Sequence, residues 1–445
     1  MDRVVRCCLL MFWVLSAGVS SLRRLQKVFL LYRDLLMVRW VIGFNLFQLF
    51  LVQVCGADDS LNSPWTRHVI DSRSQGADGT RLADVNRDGL LDIVTGWEQG
   101  GISRICLHPG YQAVRKSWPG VTVGSAKDVE DALLIDLDGD GAMDVVSCCE
   151  GGQQSIRVHW GDGGDVLREE SWETVDLPDS VGVCRWMYST PLDVNQDGQI
   201  DLVAGGKGAG AMLGWWELPS DPRDVAAWQW HPLRKMGWLM SLEVIDMNAD
   251  GKMDLLFSDR KGERSGVFWL ENPGADSLDL MSVWPEHEVG GLHQEVMFLS
   301  IGDLDSDTVQ EIVVAIRPQK ILVIKRDGSQ SNQWRSRELA IPETFGTAKA
   351  TAIADFDLDG QAEIVFSTEN AKAPKMGIGM FDRSSSDDRS WELKSISGVD
   401  GVKHDLLVPI DLDGDGDVDV LTCEEVKNLG VIWYENPIIR FVQSR

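Results

Sequence analysis

Short apolar runs rich in Val, Ile and Leu recur seven times along the chain, over 91–97, 143–149, 200–206, 253–259, 310–316, 362–368 and 418–424. Each is too short for a helix and is bounded by turn residues, so each predicts a β-strand. A short strand and a polar, acidic segment precede every run. A glycine-rich turn and a third strand follow, as in Gly266 to Pro273 (GVFWLENP) and Gly430 to Pro437 (GVIWYENP), where Asn-Pro supplies the turn. A tryptophan marks a fourth strand: Trp65, Trp118, Trp172, Trp228, Trp284, Trp334 and Trp391. Three residues on stand His68, Val121, Val175, His231, His287, Arg337 and Lys394. Each unit therefore predicts a four-stranded antiparallel meander, and no long amphipathic helix interrupts the series.

One such unit cannot close a hydrophobic core, so the units must pack on one another. Seven meanders in a ring make an all-β, seven-bladed β-propeller, expected over residues 58–445. The tryptophan series begins before the first acidic segment, whereas the last unit ends soon after its third strand. The segment after Trp65 is thus expected to complete the C-terminal blade and close the ring. Ile438 to Gln443 is the competing candidate for that outer strand.

The acidic segments share one pattern: an acid, Asp or Asn two residues on, Asp four on and an acid eight on. The copies supply Asp84, Asn86, Asp88 and Asp92; Asp136, Asp138, Asp140 and Asp144; Asp193, Asn195, Asp197 and Asp201; and Asp246, Asn248, Asp250 and Asp254. The last three supply Asp303, Asp305, Asp307 and Glu311; Asp355, Asp357, Asp359 and Glu363; and Asp411, Asp413, Asp415 and Asp419. Their first residues lie 52, 57, 53, 57, 52 and 56 positions apart. Oxygen-only side chains at this spacing, with a backbone carbonyl at the seventh residue and glycine allowing a sharp turn at the sixth, suit Ca²⁺, up to seven ions in a structural role. Mg²⁺ prefers more water and rigid octahedra, and zinc would call for His or Cys. The fifth loop has Thr308 where the others have glycine, so weak or absent binding is expected there.

Net charge changes the picture less than its value of −27 suggests. Twenty-five carboxylates sit at the ligand positions, and seven divalent cations would offset fourteen of those charges. The acidity argues against nucleic acid, whose phosphates it would repel.

Residues 1–57 differ from the rest. Apolar runs at Cys7 to Val19 and Trp40 to Val54 each follow arginines and are shorter than the roughly 20 residues that span a bilayer. They resemble secretory h-regions, and Cys55-Gly56-Ala57 offers a cleavage site, with translation starting at Met37. A secreted, periplasmic or cell-surface protein without a membrane span in the mature chain is expected. Cys106, Cys148, Cys149, Cys184 and Cys423 imply no disulfide framework; Cys148 and Cys423 fall on strands as small core residues.

These loops, with the strand after each, resemble the FG-GAP/VCBS repeat family over about residues 60–437, whose seven-bladed propellers head integrin α chains and occur in many secreted bacterial proteins. The resemblance implies the propeller and calcium in the loops. It implies no integrin-like adhesion, because this chain has seven loops rather than a few and no adjoining leg domains; a fold of this kind hosts many functions.

A second site is expected where the inner strands begin, five to eight residues before each loop. Asp78, Arg81, Glu130, Asp131, Arg185, Trp186, Tyr188, Trp238, His293, Glu295, Lys349, Lys403, His404 and Asp405 fall there and would face one channel mouth. Acids, bases and aromatics converging on one cavity suit a small polar ligand such as a carbohydrate, or a protein partner. His293 and His404 with nearby carboxylates leave a sugar-processing, lyase-like enzyme as the alternative. GxSxG and HExxH are absent, and Gly206 to Gly210 lies within a hairpin, opens no helix and so is a turn rather than a phosphate loop.

Overall fold

A computed structural model describes residues 63–275, 277, 283–328, 333–383 and 391–439. The leader over 1–57, the start at Met37 and most of the alternative outer strand over 438–443 lie outside the described residues. Leu61–Arg445 forms one compact unit.

The described strands form seven four-stranded antiparallel sheets. Their inner strands are Ala77–Ala83, Val129–Ile135, Arg185–Leu192, Leu239–Ile245, Val296–Gly302, Thr347–Ala354 and Val408–Ile410, numbered here as blades one to seven. Each inner strand packs against the inner strand of the next blade, and blade seven packs against blade one, which makes the sheets a ring. The seven-bladed β-propeller expected from the repeat is the fold. The apolar runs supply the second strands, six of which are buried along their whole length and the sixth blade's up to a half-buried Glu369, as a layer covered on both faces requires.

Closure follows the offset of the tryptophans. Thr66–Asp71 pairs antiparallel with Gly430–Glu435, so the last blade takes its outer strand from the N-terminal side. Ile70 is fully buried and packs in one cluster with Trp433 and Leu421. His68 lies 4.6 Å from the Trp433 ring and pairs with Glu435 at 2.6 Å. The same device recurs in blade three, where His231 stacks on Trp215 and bonds Glu217, and in blade four, where His287 stacks on Trp269 and bonds Glu271. The outer-strand histidines are thus fasteners between the third and fourth strands.

Six of the seven inner strands carry a bulge near their first residues, for example between Trp186 and Tyr188 and between Val129 and Asp131. A bulge breaks the simple alternation of faces and re-aims side chains. That irregularity falls at the end of the channel away from the acidic loops.

Closure yields a prediction. Ile70→Asp places an unpaired charge in the joint between the chain's two ends and is expected to lower stability by about 3 kcal/mol or more. Denaturant unfolding checks it, with Thr66→Ala, an exposed change on the same strand, expected within about 1 kcal/mol of the parent.

Candidate functional site: cation loops and channel mouth

All seven loops share one backbone. The residue after the first acid is apolar and buried in every copy: Val85, Leu137, Val194, Met247, Leu304, Phe356 and Leu412. The fourth and sixth residues are left-handed throughout, with φ of 61° at Arg87 and 85° at Gly89, and 59° at Ser306 and 70° at Thr308. Non-glycine residues pay roughly 1–2 kcal/mol for that conformation. The offset is a set of short-range bonds: in loop one the amides of Asp88 and Gly89 donate to Asp84, and that of Leu90 to Asp88. Loops three, four and six repeat the arrangement.

The last acid is different in kind. Asp92, Asp144, Asp201, Asp254, Glu311, Glu363 and Asp419 are all buried. Each accepts the amide of the apolar second residue, at 2.7–3.0 Å. In five blades the other oxygen accepts an amide at or just past the end of the third strand, from His108, Gly161, Leu218, Asn272 or Asn436. One carboxylate therefore ties the loop, the second strand and the third strand together. Burial raises several of these groups, Asp144 and Asp201 to about 7 and Asp419 to about 8.

The donors fit a hard divalent cation. Oxygen atoms of Asp136, Asp138 and Asp144 lie within 4.8 Å of one another, as do those of Asp355, Asp357 and Asp359. Asp136 Oδ1 is buried without a hydrogen-bond partner. The donor set is all oxygen, which matches Ca²⁺ rather than a soft metal.

At the other end of the inner strands lies a cavity of about 300 Å³. Of the mouth residues expected from sequence, Asp78, Glu130, Asp131, Tyr188, Trp238, Lys349, Lys403 and Asp405 line it. Arg81, Arg185, Trp186, His293, Glu295 and His404 do not, which corrects the expected convergence. Trp186 is buried between sheets on the far side of the bulge and donates its indole N–H to the Ser180 carbonyl. His404 is next to Asp405 in an extended segment, so it faces the opposite way, fully buried, 3.2 Å from the Tyr434 hydroxyl; burial pushes its imidazole down to about 4. Arg185 and His293 are exposed, and Glu295 sits behind the lining, bonded to Arg260 at 2.6 Å.

Sequence reasoning missed half of the mouth. Glu98, Glu150, Lys207, Arg260, Arg317, Glu369 and Glu425 line the same cavity, one per blade. Each stands six residues after the last acid of its loop, a register visible in the sequence. Round the closed ring the acids fall on blades six, seven, one and two and the bases on blades three, four and five. Side chains at the mouth also join every blade to the next. Arg81 pairs with Asp131 at 2.9 Å, Lys207 with Glu130 at 3.0 Å, Arg260 with Glu295, and Lys349 with Asp405 at 2.9 Å. Arg317 pairs with Glu369, and Lys403 with Asp78 at 3.6 Å. The remaining junction is a cation–π contact, with Lys207 Nζ 4.4 Å from the Trp238 ring centroid.

Within this ring Asp78 and Asp405 form a buried couple. Burial, then the charge of Asp405, holds Asp78 well above the usual carboxyl value. Burial would raise Asp405 too, but the Lys349 ammonium outweighs it and keeps that group low. The two groups are thus pushed in opposite directions, Asp78 towards its protonated form and Asp405 towards its charged form.

The clip carboxylates generate a prediction. Asp254→Ala strands the buried amides of Met247 and Asn272 and is expected to cost about 3 kcal/mol even without divalent cations. Asp250→Ala, on the exposed rim of the same loop, is expected to cost under about 1 kcal/mol under those conditions. Urea unfolding in chelator separates the two.

No curated protein matches the chain. A family model for the FG-GAP-like repeat matches residues 193–257, which hold the third and fourth acidic loops, the last three strands of blade three and the inner strand of blade four. With the same strand order in all seven blades, the chain is a seven-bladed β-propeller that carries an FG-GAP-like repeat over residues 193–257.

Proposed function

We propose that the protein is a secreted, calcium-stabilised propeller whose channel mouth binds a small, hydroxyl-rich ligand that carries charge, of the carbohydrate class. The observation that carries this reading is the mouth itself: a cavity of ligand size lined by acids, by bases that include Lys349 and Lys403, and by Tyr188 and Trp238. The Trp238 ring has Arg260 at 4.2 Å and Lys207 at 4.4 Å, so the ligand engages polar groups at the rim more than that ring's faces. Acidic and amino sugars match such a wall better than neutral ones. Ca²⁺ sits at the other end of the strands, held by the loop carboxylates, and acts by relieving their mutual repulsion rather than by touching the ligand. The leader over 1–57 supports export.

A second reading, a sugar lyase at the same mouth, gains one support from Asp78 and Asp405, neighbouring carboxyls pushed in opposite directions. It loses the two histidines, neither of which lines the cavity.

A glycan array that includes uronic acids and amino sugars, probed with Ca²⁺ and with chelator, tests the proposal. Binding to charged glycans is expected, reduced at least tenfold by Glu98→Gln or Lys349→Ala, and chelation is expected to lower the melting temperature by several degrees. Neutral glycans bound equally well, or binding untouched by both substitutions, would remove the mouth from the reading. An unchanged melting curve would remove the calcium, and turnover of a bound sugar that Asp78→Asn abolishes would move the protein to the second reading.

A further inference from the structure

The fifth loop departs from the other six in more than Thr308. The residue that follows the third-strand partner of the loop's first β position is structurally equivalent in every blade. It is Glu217, Glu271, Asp382 and Glu435 in blades three, four, six and seven, and apolar Leu107 and Trp160 in blades one and two. In blade five, where Ile312 pairs with Ile324, the equivalent residue is Lys325. A position that adds negative charge beside four of the loops thus adds positive charge beside this one.

The side chain reaches the loop. Lys325 Nζ lies 2.6 Å from Asp305 Oδ2, 2.7 Å from Asp307 Oδ2 and 2.9 Å from Glu311 Oε1. These are three of the four acids that would hold an ion, and they include the buried last one. Cationic side chains at other loops do less: Arg223 meets Asp138 and Asp140, Lys252 meets Asp250, and Arg115 meets Asp413, none of them pairing with the last acid. Among the described residues, the carboxylates of loops one, three and six have no ion-pair partner of this kind. A second observation points the same way. The cavity beside loop five is lined by Lys325, Arg335, Arg337 and Arg383 together with Asp305 and Glu311. A doubly charged ion entering there would meet several like charges at close range.

We infer that Lys325 is a built-in replacement for the divalent cation of the fifth loop: its ammonium neutralises the cage, and that blade is locked without metal. The inference rests on the calcium reading for the remaining loops only as its contrast. The backbone of loop five matches the others, with the left-handed residues in place and the amides of Asp307 and Thr308 donating to Asp303. The ammonium therefore sustains the same geometry that an ion would.

Hydrogen exchange followed by mass spectrometry, on the whole protein with Ca²⁺ and with chelator, resolves the loops individually. In the parent, Ca²⁺ is expected to slow exchange in other loops while 303–311 stays equally protected in both conditions. In Lys325→Gln, 303–311 is expected to exchange at least tenfold faster in chelator and to recover when Ca²⁺ is added, and native mass spectrometry should then count one more bound ion. Lys325→Arg keeps the charge and is expected to respond less. Calcium-dependent protection of 303–311 in the parent would overturn the inference. If no loop responds to Ca²⁺ in either protein, the calcium reading falls on its own. The role of Lys325 is then decided by whether Lys325→Gln loosens 303–311: faster exchange sustains it and unchanged exchange overturns it.

Discussion

Every blade depends on one buried carboxylate that accepts backbone amides. A charged group with no water around it is costly unless its oxygens are satisfied. Here the partners are backbone donors from the loop and, in five blades, from the end of the third strand. The interaction is local in sequence on one side and spans the hairpin on the other, so it sets both the turn and the register. It explains why this acid is the most buried of the set while the middle acids, Asp413 excepted, are half-buried or exposed: the former is part of the sheet and the latter lie at its rim.

The two ends of the inner strands then divide the work. An inner strand of seven residues at about 3.3 Å each holds the acidic loops some 20 Å from the mouth. At the loop end, charge is concentrated within each blade. At the mouth, charge is shared between blades, and each junction has its own pair or cation–π contact. Such partly buried pairs add modest net stability, but leaving one partner alone is expensive, so they favour one alignment of neighbouring blades over others. The mouth is therefore a seam as well as a cavity.

Much of this was legible in the sequence, for identifiable reasons. The loops repeat at nearly constant spacing, and the β runs after them have a composition that suits only covered strands, so the blade count and the closing strand followed from pattern alone. The mouth was half legible. Counting backward from each loop found Asp78, Glu130, Lys349 and Asp405, but also Trp186 and His404, because the bulges and the two-residue alternation decide which side chains enter the cavity and neither is written in composition. Counting forward six residues from the last acid would have found Glu98 to Glu425 directly. Left-handed Arg87, Gln196, Ala249 and Leu358 were illegible, since nothing in those side chains announces a positive φ. The backbone accepts the strain because neighbouring carboxylates gather the amides it exposes.

The joint between Thr66–Asp71 and Gly430–Glu435 has a consequence for how the molecule is made. The first of the described strands finds its partner only after residues 430–435 have left the ribosome. Until the two pair, six complete sheets and one three-stranded remnant form an open arc, whose bare edge at 430–435 is a template for any passing strand. Completion is a single late event, and a nascent or proteolysed chain lacking either terminus stays an arc.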